Sequence, residues 1–264
     1  MRVVMLYPRA YIYVSLLLLL TFPAFWLNYY SQLSEVPWQF HLHGVSATLW
    51  MLLLIWQSWT IHHRRRELHR KVGLVTFVMT PVFLAGSLLV IASMASGGGP
   101  FRAMFGTRLG LADVISFFTF TALIYGAFRH RRDVALHSSY MLATPFLLVS
   151  PVVSRLFPAF VPGLTIRSVE EIPRFAGSFH LSQGLAILLA LLLFFRNRQA
   201  RPFLVVAIVI AVQSLVFETA GRTVIWSDIN EWIGTLSPVI LACFAGLLGI
   251  AATWFGWANG RPNR

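Results

Sequence analysis

The side chains able to do chemistry in this sequence are mainly histidines, placed near the ends of apolar runs. His41 and His43 open one run, His180 lies early in another, and Asp113 and Glu218 are carboxylates within or at the edge of others. His62, His63, His69, His130 and His137 flank basic connections. An ionisable group inside a lipid-spanning segment costs a few kcal/mol or more unless it is paired, so it usually faces the interior of a helix bundle. His43, Trp50 and Gln57 recur every seven residues and share one helix face, while His180 and Gln183 are three apart and share another. His41 and His43 are two apart, roughly 200° around a helix, so both serve one site only if the helix starts late.

These residues suit two kinds of chemistry. Imidazoles with carboxylates bind transition metals, which makes His41, His43, Asp113, His180 and Glu218 a candidate metal set near one membrane face. Two neutral imidazoles on facing helices can instead hold a haem b iron from both sides. His43 with His180, and His69 with His137, are the candidate cofactor-binding pairs, one near each face. A structural reading stands beside these. Glu218 and Arg222 are four apart and can satisfy each other, Asp113 can pair with Arg108 or with a neighbouring span, and a histidine at a span end can be an interfacial hydrogen-bonding residue.

The elements that must position these groups follow from hydropathy. Of the 264 residues, 57% are hydrophobic and only 11% charged, against about 25% charged in soluble domains. Eight apolar runs are expected to span: 10–30, 39–61, 72–95, 109–128, 136–156, 176–195, 202–217 and 236–257. The seventh is the shortest and extends toward Thr223 if it crosses fully. The expected fold is an all-α polytopic bundle of about eight spans, residues 1–264 forming one integral membrane domain. No internal repeat is evident.

The formal charge is +12, yet its distribution speaks of membrane orientation, not nucleic acid. Arg64, Arg65, Arg66, Arg70 and Lys71 fall in one connection, Arg129, Arg131 and Arg132 in another, and Arg196, Arg198 and Arg201 in a third. Alternation over eight runs puts all three on one side, and the acidic Glu35, Glu170, Glu171, Asp228 and Glu231 on the other. The positive-inside rule then predicts both termini in the cytoplasm of a bacterial inner membrane, with the lipid bilayer as the main partner. The single cysteine, Cys243, permits no intramolecular disulfide, and without a C-x-x-C-H motif any haem must be held non-covalently.

The order His41-Leu-His43-Gly44, then Trp50 and Gln57, then His69-Arg70-Lys71-Val72-Gly73, resembles a pattern of uncharacterised bacterial multi-span membrane proteins. The later His137-Ser-Ser-Tyr140-Met141-Leu-Ala-Thr144, with Pro151 and Arg155, resembles that family's second signature. The resemblance covers about half of the chain and marks His43, His69, His137 and Arg155, without implying a settled activity. A looser similarity links the chain to two-haem transmembrane cytochromes, which implies haem bound by histidines near opposite faces.

Three functions stay open at this stage. The first is haem or metal binding in electron transfer or cofactor assembly, and the second is a metal-dependent enzyme at the outer face. The third is a small-solute transporter or non-catalytic partner, for which Pro81, Pro145 and Pro151 would break spans. Whether the protein is an enzyme is not decided by these residues.

Overall fold

The computed structural model describes residues 6–260. Helices α1 (Ala10–Ala24), α2 (Trp38–His62), α3 (Arg66–Gly73), α4 (Thr76–Ala95) and α5 (Pro100–Arg129) are followed by α6 (Val134–Ala143) and α7 (Phe146–Phe160). Then come α8 (Phe175–Arg196), α9 (Arg201–Glu218), α10 (Val224–Thr235) and α11 (Pro238–Asn259). The described residues contain no strand.

Among the described residues, seven segments are long and apolar enough to cross a membrane: α2, α4, α5, α6 with α7, α8 with the turn before it, α9 with the turn after it, and α11. The packing pattern explains how they do so. On α8, Leu181, Leu185, Leu188 and Leu192 form an exposed stripe, while Ser178, Ser182, Ala186 and Ala190 face inward and are fully buried. Large apolar groups outside and small or hydroxylic groups inside suit lipid, which solvates leucine and rewards close backbone approach between helices. Gly249 of α11 shows that approach: a Cβ there would lie 2.7 Å from the Pro81 Cα of α4. The chain is a multi-pass helical membrane protein.

Two expectations about span length change places. The seventh run is a full-length helix, because α9 starts at Arg201 with Pro202 in its first turn and continues through a 3-10 turn, Ala220–Arg222. Proline there gives up an N–H that has no intrahelical partner anyway. The first run is the short one. α1 contains 15 residues, about 22 Å of rise, with Pro23 in its last turn. Irregular chain and a 3-10 turn carry on from it to Val36.

One end of the bundle collects the basic connections. There Tyr7 bonds Ser139 at 3.1 Å and meets the Phe203 ring, His62 Nε2 meets the Leu6 carbonyl at 3.1 Å, and Arg131 donates to the Trp257 carbonyl at 2.7 Å. At the other end Arg155 lies over the Phe25 ring and Tyr29 bonds His41. The chain through α1 therefore touches both ends of the bundle. α10, which lies between the expected seventh and eighth spans, is an amphipathic helix with Ile225, Ile229 and Trp232 exposed on one face and Asn230 buried.

The chain also contains a repeated local pattern, although its packing does not repeat: α2 lies against α4, whereas α5 and α7 do not form the equivalent pair. A long helix, a basic connection, a short helix, a two-residue break and a further helix occur in 38–95 and again in 100–160. With an offset of 68 residues, His62, Arg64, Leu68, His69, Leu74 and Thr76 match His130, Arg132, Leu136, His137, Leu142 and Thr144. Backbone bonds match too. The His69 N–H donates to the Arg65 carbonyl at 2.9 Å, and the His137 N–H donates to the Asp133 carbonyl at 2.8 Å.

Candidate functional site

The two repeats bring His69 and His137 to the same end of the bundle, where each imidazole is partly buried. Each uses Nδ1 to reach a backbone carbonyl on the long helix before it: His69 to Gln57 at 3.2 Å, His137 to Ala127 at 2.9 Å. A carbonyl only accepts, so Nδ1 must carry the proton in both rings and Nε2 must present its lone pair. Neither Nε2 has a hydrogen-bond partner among the described residues. Gln57 thus serves this site through its main chain, while its buried side-chain Nε2 has no partner. His69 is held below the ordinary histidine value, first by burial and then by the neighbouring His137 charge, against the opposing pull of its bond to Gln57. It is therefore neutral near pH 7, the form in which imidazole binds metal.

The opposite end holds a different arrangement. Glu218, at the end of α9, takes the His180 Nε2–H at 2.9 Å and an Arg108 guanidinium N–H on Oε1, and an Arg222 N–H on Oε2. His180 Nδ1 meets Ser214 Oγ at 2.6 Å. Arg108 also donates Nε–H to the Phe217 carbonyl at 2.9 Å and lies 3.8 Å from the centre of the Phe217 ring. Phe217 is sandwiched further by Phe179 and Phe105. Every ring nitrogen of His180 is occupied.

This network fulfils the expected Glu218–Arg222 pairing and adds a partner that sequence reasoning missed. Arg108 goes to Glu218, not to Asp113. It was placed in a connection because the apolar run begins only at Leu109, but α5 starts at Pro100, putting Arg108 in its third turn. The signal was present in Gly99-Pro100, a turn followed by proline in the first turn of a helix.

The five residues of the candidate metal set are engaged separately. His41 Nδ1 bonds the Tyr29 hydroxyl at 2.9 Å, His43 Nδ1 bonds Ser87 Oγ at 3.2 Å, and His180 and Glu218 bond each other. Asp113 lies within electrostatic reach of Arg155. Among the described residues, no three His, Cys, Asp or Glu side chains converge as a metal site would require. The pairing of His43 with His180 across one cofactor fares no better, because His180 has no nitrogen to give. Gln183 is buried against the bundle with its Oε1 unpartnered.

Neither a protein family, nor a curated protein, nor a solved structure matches this chain. The functional reading therefore rests on the residues themselves.

Proposed function

We propose that this protein is a bacterial inner-membrane haem protein that holds one haem b between His69 and His137 and passes single electrons. One observation carries the reading: two imidazoles from equivalent places in two repeats each donate Nδ1–H to a carbonyl and leave Nε2 free. Histidines that ligate metals characteristically donate their other N–H in this way, which fixes the ring and raises the basicity of the ligating nitrogen. Two ligands are too few for a structural or catalytic zinc-type centre, which takes three or four from the protein. They suit haem, whose porphyrin supplies four nitrogens and leaves two axial positions. When bound, the iron would supply a one-electron couple. This chain's part is to offer neutral nitrogen ligands, keep the rings oriented and surround the group with apolar helices.

The membrane topology that goes with this reading is eight crossings with both termini cytoplasmic. Supporting it, the chain through α1 reaches both ends of the bundle, and the arginine-rich connections gather at one end, the end holding His69 and His137. The haem would then lie near the cytoplasmic face. A transporter is less well supported, since the helix breaks follow α3 and α6, only 8 and 10 residues long, and so lie toward one end rather than at the midplane.

The test is direct. Protein purified from a haem-replete host should show a Soret band and about one haem b per chain by pyridine haemochrome. The reading is overturned if such material has neither a Soret band nor extractable haem.

A further inference from the structure

A third polar group lies deep in the other half of the bundle and takes no part in the haem reading. His43 Nδ1 meets Ser87 Oγ at 3.2 Å, and the Ser87 hydroxyl is already donated to the Phe83 carbonyl at 2.8 Å. The serine oxygen can therefore only accept from the ring, so Nδ1 carries the proton and His43 Nε2 offers a lone pair. Gly86 makes this packing feasible, because a Cβ there would stand 3.0 Å from the His43 Cα.

Asp113 shares this level. Trp50 of α2 and Phe120 of α5 meet edge to face at 5.1 Å. Seven residues toward the same end of the bundle, on the same face of each helix, stand His43 and Asp113, about 10.5 Å above that contact. Asp113 accepts no hydrogen bond and forms no ion pair among the described residues, although Arg155 lies within electrostatic reach. Among the described residues, Arg155 donates only to the Pro151 carbonyl, at 2.7 Å, and covers Phe25. All three side chains are half-buried and keep accessible surface. A half-buried carboxylate with no donor of its own is open to a donor brought by a ligand.

The chemistry of its walls defines the occupant. The opposite charges of Asp113 and Arg155 cancel, which removes any advantage for a charged ligand. His43 Nε2 and the Asp113 carboxylate are two acceptors on different helices and call for two donors. Phe25 and Phe83 supply aromatic surface for a flat ring. The geometry points to a binding site for the head group of a membrane-soluble quinol, its two hydroxyls donated to His43 Nε2 and Asp113. This site does not depend on the haem, and its test does not read the haem.

The experiment titrates a decyl-benzoquinol, kept reduced without oxygen, into the full-length protein in lipid nanodiscs and follows heat. The quinol dimethyl ether, which has the same ring and tail but no donor, serves as the second probe. Saturable one-to-one binding is expected for the quinol and partitioning alone for the ether. His43→Phe should weaken quinol binding tenfold or more. Ser87→Ala keeps the His43 ring in place but frees its tautomer, and should weaken binding a few-fold. His41→Phe, bonded elsewhere, should leave it unchanged. Equal heats for quinol and ether, or wild-type affinity in both His43→Phe and Ser87→Ala, would overturn the proposal.

Discussion

The two ends of this bundle use the same residue type in opposite ways. At one end His180 gives one nitrogen to Ser214 and the other to Glu218, in a network that also satisfies Arg108 and Arg222. At the other, His69 and His137 each spend one nitrogen on a carbonyl and keep the other free. A closed network is complete without a ligand and serves to hold α5, α8 and α9 together. An open pair keeps two nitrogens available, to water or to a ligand. Residue type and burial do not separate the two cases; the count of unspent nitrogens does.

The comparison breaks most readily at the open pair. His69→Phe and His137→Phe should each remove the Soret band of the purified protein, since one axial imidazole cannot hold haem against detergent, while His180→Phe should leave it in place. Absorption spectra of the three variants, normalised to protein, decide this. Retention of a full Soret band in both inner variants would place any haem elsewhere.

The closed network should show its effect in stability. Glu218→Ala leaves the Arg108 side chain, only 9% exposed, without its counter-ion. Removing one partner of a fully buried pair costs about 3–5 kcal/mol. Glu218 is about a third exposed, so water replaces part of the loss and about 2 kcal/mol is expected. The thermal midpoint in one detergent should fall by several degrees, and the Soret band of material kept cold should persist. Glu218→Gln, which still accepts hydrogen bonds, should fall between the two. A midpoint unchanged in Glu218→Ala would mean that the network contributes nothing to holding the helices.

Much of this was legible in the sequence, and the omissions have physical causes. The apolar runs and basic connections fixed the helical class and the end of the bundle to which each histidine belongs. Span length was misjudged where proline decides it: Pro23 shortens α1, whereas Pro202 starts α9 cleanly. The repeated pattern escaped because its few matching residues sit in the connections and helix starts, with nothing comparable in the long apolar stretches. His69 and His137 were visible as candidates. That their Nε2 atoms are free was not, because the partners are carbonyls of Gln57 and Ala127, and every residue carries a carbonyl. Arg155 was marked only by a resemblance, and its relation to Asp113 is a long-range one between α7 and α5 that no spacing along the chain reports.

The smallest expected effect separates the two repeats from each other. In the second, the Asp133 side chain caps α6 by accepting the Leu136 N–H at 3.0 Å. In the first, Arg65 holds the same place ahead of α3 and provides no side-chain cap. Both positions give their carbonyl to the backbone N–H of the following histidine, so the first turn of each short helix fixes where its imidazole stands. Asp133→Ala should cost about 1 kcal/mol, lowering the thermal midpoint slightly. Because the cap steadies the turn carrying His137, the same variant should also release haem faster to an apo-myoglobin acceptor, by a few-fold. Arg65→Ala removes no cap and should leave that rate unchanged. Equal release rates in the two variants would show that the ring of His137 is held by its bond to Ala127 alone, and that the cap matters only to the helix.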